Sequence, residues 1–238
     1  MYNGAYYRDK LSGRKLLKCY EMAPSRIKQY LEAEIRFVIS RTRPSYHVLE
    51  LGCGYGRVMR RIAPFASWVV GNDTSKVNLE LARSYLEGLG NCSVCLMDAS
   101  QMALDPFAFD AVFCIQNGIS AFGVDQKRLI AESVRATKPN GLILFSSYSP
   151  KIWAARLEWF RTQSESGLIG EIDEDETGDG TIVCRDGFKA STLGASQLIE
   201  LFAEHGLKAS IIEVDESSIF SYALKTGTAK RTNRVRFS

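Results

Sequence analysis

The stretch His47-Val48-Leu49-Glu50-Leu51-Gly52-Cys53-Gly54-Tyr55-Gly56-Arg57 decides the fold of this 238-residue chain. Its first five residues are mostly apolar and suit a strand that is buried in a parallel sheet. The three glycines allow the backbone to turn sharply and to approach a ligand closely. The stretch therefore predicts a strand, a glycine-rich turn and a helix in direct succession, the unit on which α/β proteins bind nucleotides.

The same alternation of strand and helix continues along the chain. Apolar runs predict six further strands, at 68–73, 92–98, 109–115, 141–148, 209–214 and 218–224. Apolar residues at helical spacing lie between most of them, as in 57–63, 126–137 and 197–204. Pro64 is expected to stop the first of these helices, and residues 138–141 are expected to form a turn. The alternation predicts an α/β fold with a doubly wound, mostly parallel, seven-stranded sheet and helices on both faces.

Four segments divide the chain. We predict that residues 1–44 form an N-terminal helical lid and that residues 45–224 form the main domain. Within that domain, residues 150–191 break the rhythm and predict an inserted helix plus a β-hairpin, with strands at 168–171 and 181–184 around an acidic turn. Residues 225–238 form a basic tail, which we expect to be flexible.

Composition favours an ordinary globular protein, with 45% hydrophobic and 24% charged residues. The chain has no run of 18 apolar residues and no secretory signal at its start, and its six scattered cysteines indicate reduced thiols. We therefore expect a cytoplasmic protein without a membrane partner. A net charge of +3 does not by itself imply a nucleic-acid partner. The charge is uneven, with basic residues at 8–28 and in the tail and acidic residues at 171–179, which are either solvated surfaces or segments that bracket a site.

The glycine turn could belong to either of two kinds of ligand-binding site. A dinucleotide site has the spacing Gly-x-Gly-x-x-Gly, in which the third small residue lets helix and strand pack closely. Here Arg57 occupies that slot, which argues against a dinucleotide. Three strands instead end in an acid, namely Glu50, Asp73 and Asp98. Carboxylates at neighbouring strand ends can bind the ribose hydroxyls and the exocyclic amine of an adenosine, so they favour a nucleoside laid across the sheet edge.

At five places in order, the chain resembles the class I S-adenosylmethionine-dependent methyltransferases of the small-molecule, type 11/25-like kind. The first motif is Val48 to Gly56, and Gly71-Asn72-Asp73-Thr74-Ser75 resembles the second. The other three resembling stretches are Met97-Asp98-Ala99, Phe109 through Asn117, and Thr137-Lys138-Pro139-Asn140-Gly141, where Asn140 replaces a glycine. The resemblance covers roughly residues 46–148 and implies a Rossmann-like methyltransferase fold with S-adenosyl-L-methionine as cofactor and S-adenosyl-L-homocysteine as product.

The resemblance also implies roles for individual residues. The turn residues Gly52, Cys53, Gly54 and Gly56 would present backbone to the methionine part of the cofactor, and Glu50 would either orient this turn or touch the ligand. Asp73 would bind the ribose, and Thr74 would lie beside the adenine. Asp98 would hold the adenine amine next to the Ala99 backbone. Gln116 would face the sulfonium region, and Asn117 would border the substrate.

The acceptor of the methyl group must be recognised by segments outside the core sheet. Aromatic residues of the lid and the insert suggest a cover over a small molecule, and the candidate substrate residues are Tyr7, Tyr30, Asn117, Tyr148 and Trp153. Methyl transfer is an in-line displacement that needs a general base only if the nucleophile arrives protonated, and no catalytic residue or metal site is assigned. An RNA-modifying methyltransferase that uses the basic segments and a non-catalytic cofactor-binding subunit remain as alternatives. The sequence leaves the acceptor atom and the oligomeric state open.

Overall fold

The computed structural model describes residues 3–226. The helices are α1 (Asn3–Asp9), α2 (Arg14–Glu21), α3 (Ser25–Ile39), α4 (Arg57–Ile62), α5 (Lys76–Tyr85), α6 (Gly118–Ala121), α7 (Gln126–Ala136), α8 (Trp153–Glu165) and α9 (Ala195–Ala203). The strands are β1 (His47–Leu51), β2 (Trp68–Asp73), β3 (Cys92–Leu96), β4 (Phe109–Cys114), β5 (Thr137–Tyr148), β6 (Ile182–Val183), β7 (Lys189–Ala190), β8 (Ser210–Val214) and β9 (Ser218–Leu224). Most of the expected tail, 227–238, lies outside the described residues.

One seven-stranded sheet forms the centre of the molecule, with the order β3-β2-β1-β4-β5-β9-β8. The strands from β3 to β5 in this order pair in parallel, whereas β9 runs antiparallel to both of its neighbours. This confirms the predicted mostly parallel α/β sheet. The chain leaves β1 to one side toward β2 and later returns to its other side as β4, so the sheet has a topological switch point between β1 and β4, where ligands of open α/β sheets bind.

Alternate residues of the central strands face two separate hydrophobic cores. Val48 and Phe113 point into the core beneath α3, α4 and α5. Leu49 and Val112 point into the opposite core beneath α7 and α9. Because successive side chains of a strand point to opposite faces, an uninterrupted apolar run is what a sheet covered on both sides requires. Helices on both faces follow directly from that pattern.

The helical lid has two parts that attach differently. The second half of helix α3, including Ile35 and Val38, packs against the main core, whereas Ile27 and Leu31 of its first half pack with the insert. Arg26 of α3 forms an ion pair with Asp215 in the β8–β9 turn at 2.6 Å, which fixes α3 to the far end of the sheet. Helices α1 and α2 instead pack with the insert in a third hydrophobic cluster that contains Tyr6, Cys19, Trp159 and Phe188. The lid therefore consists of an anchored helix, α3, and of an outer cover that is formed by α1 and α2.

The insert departs from the expected hairpin. Helix α8 forms as predicted, but β6 pairs with β7, and residues 168–171 contribute no strand. A single bridge joins Ile172 to Cys184, and Asp173 N donates to Val183 O at 2.9 Å. The acidic turn thus lies between residues that pair only locally. The expected pairing was wrong because the buried partners of this region, Tyr6 among them, lie far away in sequence.

Of two smaller expectations, one was wrong. Helix α4 ends at Ile62, ahead of Pro64 and within one residue of the expected end, and a 3₁₀ turn, Ala63–Phe65, follows it. Such a turn tolerates a proline at its start because the missing N–H would be free there anyway. The expected turn at 138–141 is part of β5, where a register shift against β4 absorbs Asn140 with its positive φ of 63°.

Candidate functional site

The glycine turn lies where β1 ends and α4 begins. Gly52 has a φ of 69° and Gly54 a φ of 54°, values that side chains other than glycine rarely adopt. A Cβ atom on Gly52 would come within 2.3 Å of the Phe122 ring, so no larger residue fits. Cys53 N donates to Asn72 O at 2.9 Å and ties the turn to β2. The turn is thus a fixed concave surface of backbone.

Asp73 ends β2 beside this turn and holds it in place. Its Oδ2 accepts a hydrogen bond from Gly54 N at 2.9 Å, and its Oδ1 accepts from Ser75 N at 2.8 Å and from Asn78 Nδ2 at 3.2 Å. Burial raises the pKa of Asp73 above its usual range, whereas these donors oppose the shift. A carboxylate oxygen can accept more than one hydrogen bond, so Oδ2 retains acceptor capacity toward the cavity.

Asp98 follows β3 at the third strand end. Its Oδ1 accepts from both the backbone N and the Oγ of Ser100 at 2.7 Å, which orients the carboxylate. The other oxygen, Oδ2, is not engaged by these bonds. Thr74 and Ala99 lie beside the two aspartates on the same cavity wall. The structure thus brings all three strand-end acids to one cavity, as the sequence predicts.

A buried acid, Glu50, and a partly buried cation, Arg57, lie close enough beside the turn for the Arg57 charge to act on Glu50. Glu50 is 4% exposed, and its Oε2 has no hydrogen-bond partner in the described structure. Burial raises the pKa of Glu50 to about 8, although the nearby Arg57 charge works against that shift. The Arg57 guanidinium lies over the ring of Tyr20, 4.4 Å from its centroid, and donates to Oε1 of Gln116. Gln116 itself leaves its Nε2 without a partner.

These residues line one side of a single cleft. Its floor is the edge formed by the ends of β1, β2 and β3. The opposite wall comes from the outer cover, the end of β5 and α8. Apart from Arg8, the residues of this second wall are mostly apolar or aromatic: Tyr7, Leu11, Leu16, Cys19, Tyr20, Tyr148, Trp159, Phe160 and Gln163.

Ten residues were predicted to bind the cofactor, and nine of them line the cleft: Glu50, Gly52, Cys53, Gly54, Asp73, Thr74, Asp98, Ala99 and Gln116. Gly56 is the exception, because it packs against the Leu86 side chain behind the turn. Its φ of 85° marks the turn into α4. Gly56 therefore shapes the turn from behind. Contact of the nine residues with a ligand stays a prediction.

Two of the five candidate substrate residues line the cleft, and three do not. Tyr7 and Tyr148 line the cleft, whereas the structure places the other three elsewhere. Tyr30 is fully buried against Tyr148, with ring centroids 5.1 Å apart. Asn117 accepts from Ser147 Oγ and donates to Ser191 O, so its side chain ties β5 to the insert. Trp153 lines a second cavity on the other side of Tyr148. These three side chains do not line the cleft, and contact of any of the five with a substrate stays a prediction.

Sequence reasoning missed Asn78, Gln163 and Glu34. Asn78 accepts from Gly13 N at 2.7 Å while donating to Asp73, so it links the cover to the floor. Glu34 is completely buried and accepts from Gln116 N at 2.6 Å, and burial raises its pKa to about 7. A signal for Glu34 existed, because it is a carboxylate within the apolar stripe of α3. Nothing local marks Gln163, whose proximity to the cleft depends on the placement of the insert.

Residues 3–226 were also searched for a metal site, disulfides, a histidine at the cleft and a membrane-spanning helix. That part of the chain has no cluster of three or more His, Cys, Asp or Glu residues that could hold a metal ion. Its six cysteines are free thiols, and none pairs in a disulfide. Neither His47 nor His205 lines the cleft. Within the same residues, no helix is both long and apolar enough to cross a membrane.

Part of the chain matches a known family of protein domains. Residues 48–141 match a family model described as a methyltransferase domain. Ubiquinone biosynthesis O-methyltransferase from Coxiella burnetii is 27% identical over 134 residues, which make up 56% of this chain and 53% of that protein. The chain thus spans about half the length of the curated relatives it matches. Residues 48–141, which hold the glycine turn and the strand-end acids, thus form a methyltransferase domain of the class I S-adenosylmethionine-dependent type.

Solved structures support the fold. The PH0226 protein from Pyrococcus horikoshii superposes with a TM-score of 0.64 at 21% identity, over 93% of this chain and 98% of that one. N-methyltransferase NodS from Bradyrhizobium japonicum, solved with S-adenosyl-L-homocysteine, superposes with a TM-score of 0.62 at 14% identity, over 95% of this chain and 100% of that one. At such identities the likeness concerns the architecture, which extends well beyond the matched domain.

The residues present suit S-adenosylmethionine, the cofactor of this class. The glycine turn is a cradle that a Cβ at Gly52 would fill. Two buried polar atoms at its rim, Glu50 Oε2 and Gln116 Nε2, have no protein partner in the described structure. Such atoms are costly unless a ligand pairs with them, so they are available to the polar methionine end of the cofactor. The remaining acceptor capacity of Asp73 Oδ2 suits a ribose hydroxyl, and Oδ2 of Asp98 suits an amine.

Proposed function

We propose that the protein transfers a methyl group from S-adenosylmethionine to a small-molecule nucleophile. One observation carries the proposal. The glycine turn and the carboxylates of Glu50, Asp73 and Asp98 form one side of a cleft whose other side is an aromatic wall. The first side suits an adenosine cofactor, and the second suits an organic acceptor rather than a polymer, because lid and insert cover it.

The chain's own residues would act mainly by binding and orientation. Asp73 would accept hydrogen bonds from the ribose, Asp98 would accept from the adenine amine, and the backbone of the glycine turn would hold the methionine end. When bound, the cofactor supplies a methyl group that is already activated by a positive sulfur. Fixing the nucleophile in line with this group is worth a large part of the rate enhancement.

The second, largely aromatic wall of the cleft is called the acceptor wall below. Its tyrosine side chains are unsuited to remove a proton from the acceptor. Burial raises the pKa of Tyr148 to about 12, and burial likewise raises the pKa values of Tyr7 and Tyr20. These hydroxyls therefore stay protonated and can donate hydrogen bonds to an acceptor. The outer cover and α8 line the cleft and would limit the entry of water around a bound acceptor, which would strengthen the electrostatic interactions inside it.

Calorimetry and turnover together test the proposal. We expect S-adenosylmethionine and S-adenosylhomocysteine to bind, and NAD not to bind. Formation of S-adenosylhomocysteine should then depend on an acceptor from a panel of small phenols, acids, thiols and amines. A preference for NAD would contradict the cofactor assignment, and cofactor binding without turnover of any acceptor would point to a non-catalytic subunit. Salt-dependent binding of bulk tRNA would instead favour an RNA substrate.

A further inference from the structure

The acceptor wall of the cleft is backed by two positive charges. Arg57 stacks on Tyr20, with its guanidinium carbon 4.4 Å from the ring centroid. Arg156 does not line the cleft itself, but it stacks on Tyr148, which does, at 4.3 Å. Its guanidinium also lies 5.5 Å from the ring centroid of Phe160. Two of the aromatic side chains that would face an acceptor thus carry a guanidinium on one face.

Neither guanidinium is neutralised by an ion pair within residues 3–226. Arg156 is 1% exposed, and it donates to two backbone carbonyls, Gly180 O at 2.9 Å and Ala190 O at 2.8 Å. Arg57 donates to an uncharged amide oxygen. The Nε atoms of both have no partner in the described structure. Buried cations are normally paired with an anion, because an unpaired buried charge is costly.

The carboxylates of the cleft lie on the other side. Glu50, Asp73 and Asp98 all belong to the floor at the ends of β1, β2 and β3. The acceptor wall has no carboxylate and no imidazole among its described lining residues. The buried acids nearest Arg57, Glu34 and Glu50, have pKa values raised by burial to about 7 and about 8, so their compensation of its charge is incomplete at neutral pH.

We infer that the acceptor is a small organic anion, a carboxylate or a phenolate, which is methylated on oxygen. The inference rests on the proposed methyl transfer and specifies its substrate class. The positive wall stabilises an anion and disfavours an ammonium ion, while the tyrosine hydroxyls donate to its oxygens. Because the nucleophile enters as an anion, a wall without a base suffices.

The reaction balances without a proton transfer. A lone pair of the acceptor oxygen forms the new oxygen–methyl bond, and the electron pair of the broken sulfur–methyl bond stays on sulfur. A negative oxygen and a positive sulfonium become a neutral ester or ether and a neutral thioether. Opposite charges disappear together, which a water-poor cleft favours.

Binding to the protein saturated with S-adenosylhomocysteine tests this inference. Calorimetric titrations would use benzoate, its neutral counterpart benzamide and the cation benzylammonium, which share one aromatic ring. We expect benzoate to bind most tightly and benzylammonium most weakly. Titrations with 4-nitrophenolate and neutral nitrobenzene then distinguish a phenolate from a carboxylate site. Equal binding of the three ring compounds, no binding of any anion, or preference for benzylammonium would overturn the inference.

Substitutions on α8 make the test specific. Arg156→Gln should reduce the preference for benzoate over benzamide by about tenfold or more, as expected for loss of a buried charge interaction. Arg156→Lys keeps the charge and should retain part of the preference. The control is Arg161→Gln on the same helix, whose exposed side chain pairs with Glu174 and should not matter. An unchanged preference in Arg156→Gln contradicts the inference.

Different results would contradict the proposed methyl transfer and the proposed class of acceptor. If S-adenosylhomocysteine does not bind to the native protein, the methyltransferase proposal fails, and the acceptor class fails with it. If it binds but the order of the three ring compounds is reversed, only the acceptor class fails. Should Arg156→Gln lose its fold, seen as a lost thermal transition, the order of ligands on the native protein alone decides.

Discussion

At the scale of single residues, Asp73 has two tasks that a sequence motif does not separate. It offers an acceptor oxygen to the cleft, and it fixes the glycine turn through Gly54 N. The second task explains why the turn has its shape before any ligand binds. A residue that both orients the cradle and contacts the ligand is expected to be unusually sensitive to substitution.

Asp73→Ala should therefore weaken binding of S-adenosylhomocysteine by about 1–3 kcal/mol, since it removes hydrogen bonds to a charged acceptor. Isothermal calorimetry measures this change directly. The matched control is Asp110→Ala, which also removes a carboxylate from a strand of the sheet. Asp110 accepts from His47 N and pairs with Lys138 at 2.8 Å, near the amino-terminal ends of β1 and β4 and away from the cleft. A similar loss of affinity in both variants would show a general effect on folding instead.

Glu50 and Glu34 predict an unusual dependence of stability on pH. Burial raises the pKa of Glu34 from 4.5 to about 7 and that of Glu50 from 4.5 to about 8. Over this window the folded state binds more protons than the unfolded state, so these groups stabilise the ligand-free protein fully below about 4.5 and lose that contribution as pH rises toward 8.

Urea unfolding of the ligand-free protein between pH 5 and 8 checks this sign. We expect Glu50→Gln and Glu34→Gln each to make the decline of the unfolding free energy with pH shallower. Glu32→Gln serves as the control, because the Arg61 side chain lowers the pKa of Glu32 and moves its titration below this window. If neither buried substitution alters the slope, the two carboxyls are not held protonated by the fold.

At the scale of elements, the connection between α1 and α2 controls access to the cleft. Gly13 there has φ 59° and ψ −127°, a conformation open essentially to glycine alone. Its N–H donates to Asn78 Oδ1 at 2.7 Å, and Asn78 in turn contacts Asp73. The outer cover is therefore linked by one amide side chain to the residue that we expect to bind the ribose.

Gly13→Ala should detach the outer cover at a cost of about 1–3 kcal/mol from backbone strain. A Cβ there would also come within 2.6 Å of Val77 Cγ1, an exposed side chain. The expected results are faster proteolysis between residues 3 and 21 and faster release of S-adenosylhomocysteine. Adding Val77→Ala removes the clash but not the strain, so it should restore only part of the loss. Complete restoration would show that packing, not the φ of Gly13, sets the position of the cover.

The sequence predicts elements well where neighbours in sequence are also partners in space. Strands β2 and β9 have the predicted bounds, and β1 and β4 differ by at most one residue, because an apolar run between turn residues records burial directly. The insert was mispredicted because its contacts are distant. Tyr6 donates to Asp186 Oδ2 at 2.6 Å across 180 residues, and no local pattern records such a pair.

In the candidate site, too, residues fixed by local sequence could be predicted, and residues placed by distant contacts could not. Glu50, Asp73 and Asp98 could be found because each ends a strand, and strand ends of a parallel sheet meet at one edge. The acceptor wall could only be sketched as aromatic, and Tyr30 and Trp153 were expected at the cleft although they face elsewhere. Which side of a helix faces a cleft depends on how lid and insert dock, and periodicity identifies only the side that is buried.

At the scale of the whole molecule, the second half of α3 packs against the main core, although α3 lies before the domain boundary predicted at residue 44. Helix α3 contributes Ile35 and Val38 to the core that also contains Val48 and Met59. Helices α1 and α2 lie over the insert instead, where Trp159 Nε1 donates to Cys19 O at 2.9 Å. Removing both parts of the lid should therefore differ from removing the outer part alone.

We expect deletion of residues 1–22 to leave a cooperatively folding protein with weak cofactor binding, because the two sheet cores stay complete. Deletion of residues 1–44 should abolish cooperative folding, because it exposes the apolar face beneath α3 and removes the Arg26–Asp215 ion pair. Thermal unfolding followed by circular dichroism compares the two. Asp215→Asn in the full chain separates the contributions: loss of the ion pair alone should cost about 1 kcal/mol, far less than loss of the helix. If the shorter protein melts as cooperatively as the longer one, α3 is a cover like α1 and α2, and the boundary at residue 44 is correct.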